Sequence, residues 1–441
     1  MLPFFNEKIL FIKSKFSANK KIGYSLFYTF LFHGSNFIIP IIIIPYLLRT
    51  IGIEKFGLVA FAQAIMTYFT IFTDYGFQIS GTKEVSVNRE SSGNLSKIVS
   101  KVFCVKLLLL IISFLVLLLL TTVIKKLNEE QTLLLFSFFI TIGRTILPHW
   151  FFQGLEKMQY MALLNFISKP LVFIFIIIFI KSEADYIYVN LIYSAGEILI
   201  AIIGIFMMFL NFKIRISFLG VKEILEELRK GWYIFLSNFS INIYMNANII
   251  ILSLFVNDYI LGVYGLAEKI MQVMKQVNTV IFQTVFPHAC KLAEESLLRL
   301  KQFFKQAFTA LSIIFLFMGA VVFIFAGEIL FILSGERIEE GIDYLRFFAF
   351  VPLIVSLNIP SYQTLLIYDL HKTITKIIFS GAIINLVLNF TLASQFQAMG
   401  TISSIFLTEV FVTSGLLYLT SFKYDKYNFL IFQRKEAVGR I

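Results

Sequence analysis

The sequence has 441 residues, of which 58% are hydrophobic and only 15% are charged. A soluble domain of this length could not bury so much apolar surface, so the composition excludes a soluble globular protein and predicts an integral membrane protein. The formal net charge of +11 is spread over short segments between apolar runs, which argues against nucleic-acid binding.

In chain order, a basic amphipathic segment over residues 1–21 is predicted to lie on the cytoplasmic face of the membrane. Apolar windows long enough to cross a bilayer follow it. These spans, numbered 1 to 12 in order, are 22–48, 56–80, 102–123, 132–155, 160–181, 186–210, 232–256, 259–286, 304–327, 342–368, 373–394 and 397–421. They predict an all-α membrane protein of about 12 transmembrane helices.

Lys and Arg between the spans predict the orientation. If the N-terminus is cytoplasmic, most of these basic residues are also cytoplasmic, as the positive-inside rule requires. The opposite side then keeps only Arg49, Lys55, Lys125, Lys126, Lys181 and Arg337. We therefore expect both termini in the cytoplasm and an even number of spans.

Two related halves are indicated by matches about 200 residues apart. The segment 57–65 in span 2 aligns with 262–270 in span 8, and the other matches are Ser35-Asn36-Phe37 with Ser237-Asn238-Phe239, and Pro148 and Gln153 with Pro360 and Gln363. Six spans per half predict two bundles related by a pseudo-two-fold axis along the membrane normal. The predicted units are bundles at 22–210 and 232–421, a cytoplasmic linker at 211–231 and a basic cytoplasmic tail at 422–441.

Polar residues form rows on four of the predicted spans. With helical spacing, the rows are His33 and Asn36 in span 1, Gln63, Thr67, Thr70 and Asp74 in span 2, Asn238, Asn242 and Asn246 in span 7, and Glu268, Gln272, Lys275 and Thr279 in span 8. Because charges facing lipid are costly, the rows predict a central hydrated cavity, to which we also assign Arg144, Glu197, Lys269 and Arg346. Lys169 and Glu409 are left out because they lie near span ends or alone. The alternative for the Asn and Thr positions is interhelical hydrogen bonding.

Known catalytic and metal-binding patterns are missing from the sequence. The four histidines have no metal-ligand spacing, and no nucleotide-binding or hydrolase motif occurs. We therefore predict no enzyme activity, no metal and no cofactor.

Short motifs in order along the chain carry a family resemblance. They are Pro45-Tyr46-Leu-Leu-Arg49 with Gly52 and Gly57, Asp74-Tyr75-Gly76-Phe77, Trp150-Phe-Phe-Gln153-Gly154-Leu-Glu156, and Gly262-Val-Tyr264. With these, the chain resembles the Wzx-type O-antigen and polysaccharide repeat-unit flippases of the MATE-like MOP exporter superfamily. The resemblance implies a flippase that moves undecaprenyl-pyrophosphate-linked oligosaccharide from the cytoplasmic to the outer leaflet of a bacterial plasma (inner) membrane by alternating access. It also implies coupling to a proton or sodium gradient, and pathway partners such as a polymerase and chain-length proteins.

Residue chemistry fits that implication. Amide and hydroxyl side chains suit sugar hydroxyls, whereas Arg144, Lys269, Lys275 or Arg346 suit a diphosphate. Asp74 or Glu268 is the candidate for the coupled ion. The alternatives are a multidrug exporter on the same fold and, less favoured, a membrane-embedded polysaccharide polymerase or ligase.

Overall fold

The structure is a computed structural model that describes residues 42–217, 220–424 and 427–429, and within these ranges it is helical without strands. The predicted all-α class is confirmed for this part of the chain. His33, Asn36, the predicted segment 1–21 and most of the predicted tail lie outside the described residues.

In the described residues up to 217, the N-terminal lobe contains eight α-helices. They are α1 (42–74), α2 (Phe77–Val87), α3 (Ser92–Val123), α4 (Lys125–Glu129), α5 (Gln131–Ile146), α6 (His149–Gly154), α7 (Met158–Phe179) and α8 (Tyr186–Phe212). Helix α8 packs against α5 and α7, and α2 packs against α6.

The C-terminal lobe follows after residue 220. Its helices are α9 (Val221–Asn246), α10 (Asn248–Leu252), α11 (Asp258–Glu295), α12 (Leu297–Ile324), α13 (Ala326–Ser334), α14 (Glu339–Phe348), α15 (Val351–Ile367) and α16 (His371–Tyr418). Helix α15 packs against α12 and α16. The exact boundaries of the two bundles remain predictions.

Eight segments in the described ranges are long and apolar enough to cross a membrane. The last of them has 53 residues and would be about 80 Å long as one helix, against a hydrocarbon core of about 30 Å. It is interrupted at Gln397, whose φ of 52° is not helical, so it contains two helices. The first segment is interrupted in the same way at Gly52, with φ of 75°, where glycine tolerates a positive angle. These breaks are compatible with twelve spans, and that number stays a prediction.

Helices α9 and α11 are long but are not among the eight apolar segments. They carry the predicted polar rows of spans 7 and 8. Polar residues are tolerated in these two helices because both lie at the boundary between the lobes and contribute to the cavities described below.

Buried and half-buried amides connect helices inside each lobe. In the N-terminal lobe, Nε2 of Gln63 donates to Oδ1 of Asn190 at 2.8 Å, and Nδ2 of Asn190 donates to Oγ of Ser137 at 2.8 Å. In the C-terminal lobe, Nδ2 of Asn389 donates to Oδ1 of Asn248, also at 2.8 Å. Such hydrogen bonds hold helices together within a membrane protein.

Helix α9 begins on one lobe and ends on the other. Its first half contacts α3, and Phe235 stacks on Tyr75 with ring centroids 4.8 Å apart. The Oε1 atom of Glu227 accepts hydrogen bonds from Lys101 of α3 and from Lys230, both at 3.0 Å. The second half of α9 packs against α16.

The Glu227 contact predicts an acid-sensitive stability. Burial raises the pKa of Glu227, but the hydrogen bonds and charges of Lys101 and Lys230 outweigh this and hold the pKa below its ordinary value. The contact therefore stabilises the fold above the unfolded-state pKa of about 4.3 and is lost as the pH falls through the lowered folded-state pKa. We expect Glu227→Gln to lower the thermal unfolding midpoint near neutral pH, and this difference to shrink progressively as the pH is lowered below the unfolded-state pKa of about 4.3.

The control for this prediction is Glu295→Gln, which removes an exposed ion pair with Arg299. It should change the unfolding midpoint little at any pH, because exposed pairs contribute about 0–1 kcal/mol. A Glu227→Gln effect that is the same at pH 3 and pH 7 would contradict the assignment.

Candidate functional site

A polar cavity of about 400 Å³, here called the first chamber, lies between the lobes. Helices α1, α5, α7 and α8 form one side, and α9, α10 and α11 form the other. Its polar lining residues are Gln63, Thr67, Arg144, Lys169, Tyr193, Glu197, Asn246, Glu268, Lys269 and Gln272.

The first chamber contains one ion pair and two further cations. Nζ of Lys169 lies 3.3 Å from Oε1 of Glu197, which joins α7 to α8. Nζ of Lys269 is 3.5 Å from Oε1 of Gln63, a long hydrogen bond. Arg144 is exposed to the chamber and makes no hydrogen bond or ion pair with any residue of the described ranges.

Close approach of α5 and α8 places Arg144 beside the ion pair. A Cβ atom on Gly143 would lie 3.0 Å from Cβ of Glu197 and 3.1 Å from the backbone nitrogen of Ile198. A glycine here therefore lets the two helices pack closely, and the next residue, Arg144, lies in the same chamber as Glu197.

A second polar cavity of about 280 Å³, the second chamber, lies next to the first. Asn246, Glu268 and Gln272 line both chambers and form their common wall. Further lining residues of the second chamber are Asn248, Met271, Lys275, Gln276, Thr279, Asn385, Ile405 and Glu409. Nζ of Lys275 lies 2.6 Å from Oε1 of Glu409, so this lysine is paired across α11 and α16.

Most of the predicted site residues within the described ranges line these chambers. They are Gln63, Thr67, Arg144, Asn246, Glu268, Gln272, Lys275 and Thr279. Thr70, Asn238 and Asn242 line neither, and Nδ2 of Asn242 donates to the carbonyl of Asn238 in its own helix. Arg346 also lies elsewhere, with its guanidinium over the Phe323 ring at 5.5 Å.

Asp74 belongs to a separate cluster inside the N-terminal lobe. Its Oδ1 atom lies 2.8 Å from Nζ of Lys106, whose side chain is only 4% exposed. Close by, Nε2 of Gln78 is 2.8 Å from Nδ1 of His149 and 2.6 Å from Oε1 of Gln153. Asp74 therefore neutralises a buried lysine of the leucine-rich helix α3.

This pairing predicts a structural effect of replacing Asp74. Asp74→Asn leaves the charge of Lys106 buried without a carboxylate, and should lower the free energy of unfolding by roughly 3 kcal/mol. This is the low end for buried pairs, because the Asp74 side chain is 28% exposed. Adding Lys106→Met should restore most of the stability in chemical unfolding. If Asp74→Asn kept full stability and only removed the pH dependence of transport, a role in ion coupling would be favoured.

Several lining residues were missed by the sequence analysis. Lys169, Gln276, Asn385 and Glu409 are the main ones, whereas Glu197, which was assigned to the cavity, does line the first chamber. A usable signal existed for Glu409, because it is separated from Glu197 by the same number of residues as the repeat counterparts Pro148 and Pro360. Gln276 follows Gln272 by one helical turn.

The lobes meet closely beyond one end of the first chamber. A Cβ atom on Gly57 of α1 would lie 2.6 Å from the backbone nitrogen of Gly262 of α11, and one on Gly262 would overlap the carbonyl oxygen of Ile53. Nζ of Lys126 and Oδ1 of Asp258 form an ion pair at 3.0 Å across the same boundary. We call the contact between Gly57 and Gly262 the glycine seal. Gly57 and Gly262 are also the matched first residues of the two aligned repeat segments.

Metal binding finds no support in the described residues. Within them, no group of three or more His, Cys, Asp or Glu side chains is close enough to hold an ion. What the chambers offer instead is a set of cations, carboxylates and amides at the boundary between two helical lobes.

Comparisons with known proteins agree with this architecture. The family described as "Polysaccharide biosynthesis protein" matches residues 22–292. A protein of Escherichia coli K12 named "Putative O-antigen transporter" is 25% identical over 395 residues, covering 89% of this chain and 95% of the relative. A protein of the same name from Shigella dysenteriae is 28% identical over 393 residues, covering 88% and 97%.

Solved structures share the fold. An inward-facing multidrug resistance MATE family transporter of the MOP superfamily matches with a TM-score of 0.67 and 12% identity, covering 86% of this chain and 93% of that one. The lipid II flippase MurJ, in an inward closed conformation, matches with a TM-score of 0.65 and 14% identity, covering 89% and 87%. The predicted MATE/MOP-like fold and the prediction of a transporter rather than an enzyme are confirmed.

Proposed function

Because the chain belongs to the polysaccharide biosynthesis protein family, we propose that it is a flippase for lipid-linked polysaccharide precursors. The substrate would be an undecaprenyl-pyrophosphate-linked oligosaccharide, an O-antigen or capsule repeat unit, moved from the cytoplasmic to the outer leaflet of a bacterial inner membrane. Both termini would be cytoplasmic. The names of the Escherichia coli and Shigella dysenteriae relatives support this reading.

The observation that carries the proposal is the charge of the chambers. Four cations, Arg144, Lys169, Lys269 and Lys275, lie among three carboxylates, and Arg144 forms no salt bridge with a carboxylate of the described residues. A diphosphate cannot cross hydrocarbon without such groups, and a guanidinium binds its oxygens through paired hydrogen bonds. An exporter of cationic drugs would instead need an acidic cavity.

The two-lobe arrangement supports the proposal of alternating access. The glycine seal would close one end of the first chamber, and by the orientation proposed above this end faces away from the cytoplasm. Opening it requires the two lobes to separate at Gly57 and Gly262. The prenyl tail would remain in lipid while the polar head passes between the lobes.

Ion coupling is assigned to Glu268 in preference to Asp74. Glu268 lines both chambers, whereas Asp74 is paired with Lys106. A proton or sodium ion would bind at Glu268, and the polymerase and chain-length proteins of the pathway would receive the delivered unit. A substrate that arrives while Glu268 is charged would meet a carboxylate in the common wall of the two chambers.

Reconstitution tests the function directly. Proteoliposomes carrying a prenyl-diphosphate-linked N-acetylglucosamine in the inner leaflet should expose the sugar to an external lectin only when the protein is present. Cells that lack the chain should accumulate lipid-linked repeat units in the cytoplasmic leaflet. Transport of ethidium without sugar exposure would instead favour a drug exporter.

A further inference from the structure

The second chamber differs from the first in the chemistry of its lining. Its one lysine is paired with Glu409 at 2.6 Å, so no uncompensated cation faces it from α11 or α16. The remaining polar lining is dominated by amide and hydroxyl groups, namely Asn246, Asn248, Gln272, Gln276, Thr279 and Asn385. A phosphate would find no free positive charge here.

Asn385 lines this chamber and carries a hydrogen-bond acceptor that is unsatisfied within the described residues. The residue is fully buried, and its Nδ2 atom donates to Oγ1 of Thr408 at 3.4 Å. Its carbonyl oxygen, Oδ1, is buried and accepts no hydrogen bond within the described part of the chain. A buried acceptor without a donor costs free energy, so the site favours a ligand that brings an O–H or N–H group.

Two amides on α11 are also available. Gln272 and Gln276 lie one helical turn apart, and neither side chain makes a hydrogen bond with the described residues. Each amide can donate and accept, which matches hydroxyl groups that do both. Glu268 and Glu409 add acceptors close to the same space.

We propose that the second chamber is a carbohydrate subsite that holds the sugar attached directly to the diphosphate. This inference rests on the proposed function, in which the diphosphate lies in the first chamber near Arg144 and Lys269. The common wall of Asn246, Glu268 and Gln272 lets one ligand reach both chambers. The volume of about 280 Å³ is at the lower end for small-molecule pockets, which fits a single sugar ring rather than a whole repeat unit.

A cation is the competing occupant, and the structure disfavours it. Nζ of Lys275 lies against Glu409 and occupies the position where a cation would bind that carboxylate. A hydroxyl-bearing ring does not compete with this ion pair, because it can accept from Lys275 and donate to Glu409 while the pair persists.

The test compares ligands with and without the sugar. The purified protein in lipid nanodiscs is titrated with a prenyl diphosphate and with the same compound carrying glucose, galactose or N-acetylglucosamine. At least one glycosylated probe should bind about tenfold more tightly than the bare diphosphate, from several additional hydrogen bonds. Gln276→Ala and Asn385→Leu should each remove much of this gain while leaving the affinity for the bare diphosphate unchanged.

Asn165→Leu is the matched control, because Asn165 is a buried α7 residue that lines neither chamber. It should keep the full gain. If Asn385→Leu does not fold, the half-buried Gln276 carries the test alone. A wild-type protein that binds bare diphosphate but gains nothing from any sugar would overturn the subsite and leave the proposed function intact. Binding of sodium in place of sugar would also overturn it, whereas failure to bind any prenyl diphosphate would remove the proposed function itself.

Discussion

Replacement of Arg144 by glutamine is expected to weaken diphosphate binding about 10- to 100-fold, because a charge-assisted hydrogen bond contributes about 1.5–3 kcal/mol. Arg144 forms no hydrogen bond or salt bridge within the described ranges, although it lies close enough to Glu197 to interact with its charge, so a ligand that binds it breaks no direct contact. Lys169, in contrast, must share its charge between Glu197 and the substrate. The measurement is the Kd for a prenyl diphosphate, together with the initial rate of lectin-detected translocation.

Arg144→Lys separates charge from geometry. It keeps the positive charge but loses the planar fork that pairs with two oxygens, so its affinity should fall between those of the wild type and Arg144→Gln. Arg299→Gln, which removes an exposed guanidinium beside Glu295, is the surface control and should have no effect. Full transport by Arg144→Gln would show that residues other than Arg144 bind the diphosphate.

Substitution of Gly262 by alanine is expected to abolish closure of the glycine seal. The added Cβ would overlap the carbonyl oxygen of Ile53, and backbone cannot move aside as a flexible side chain can. We expect transport to fall at least about tenfold, because a loss of 1.4 kcal/mol in the closed state already changes its population by that factor. The reporter is Thr67→Cys in the first chamber, in a background where the free cysteines Cys104 and Cys290 are replaced by serine.

In the Gly262→Ala protein, Thr67→Cys should react severalfold faster with a membrane-impermeant thiol reagent added from outside. Gly265→Ala is a close control on the same helix, because its Cβ would meet only ordinary contacts, the nearest being Cβ of Ala60 at 3.6 Å. It should retain transport and slow labelling. If Gly262→Ala labels as slowly as wild type, the lobes close by another contact.

Helical periodicity was enough to place much of the site. Gln63 and Thr67 on α1, and Glu268, Gln272 and Lys275 on α11, share one face of a helix, and all line the chambers. This works because polar groups in an apolar helix must meet protein or water, whatever the details of packing. The family resemblance supplied the MATE/MOP fold.

Such patterns could not predict which charged residues of different helices form ion pairs. Lys275 and Glu409 meet across 134 residues, and nothing in either local sequence indicates the other. Lys106 directly precedes a run of leucines in an apolar helix, and nothing in this local sequence indicates that Asp74 neutralises it. For Arg346, the sequence indicates the position along the predicted span but not the neighbours of the side chain. The guanidinium lies over the Phe323 ring instead of in a chamber.

Contact between Gly57 and Gly262 has a consequence for the origin of the chain. Equivalent residues of a two-fold arrangement touch each other only where the axis passes, so this contact would lie at the centre of an isologous dimer of half-length subunits. Two identical subunits would bind a ligand on the axis equally well in either of two opposed poses. Joining such halves in one gene, as the predicted repeat implies, would allow cations to be kept in one chamber and amides in its neighbour. That difference would give a bound molecule a single polarity, as the proposed transport of a ligand with distinct ends requires.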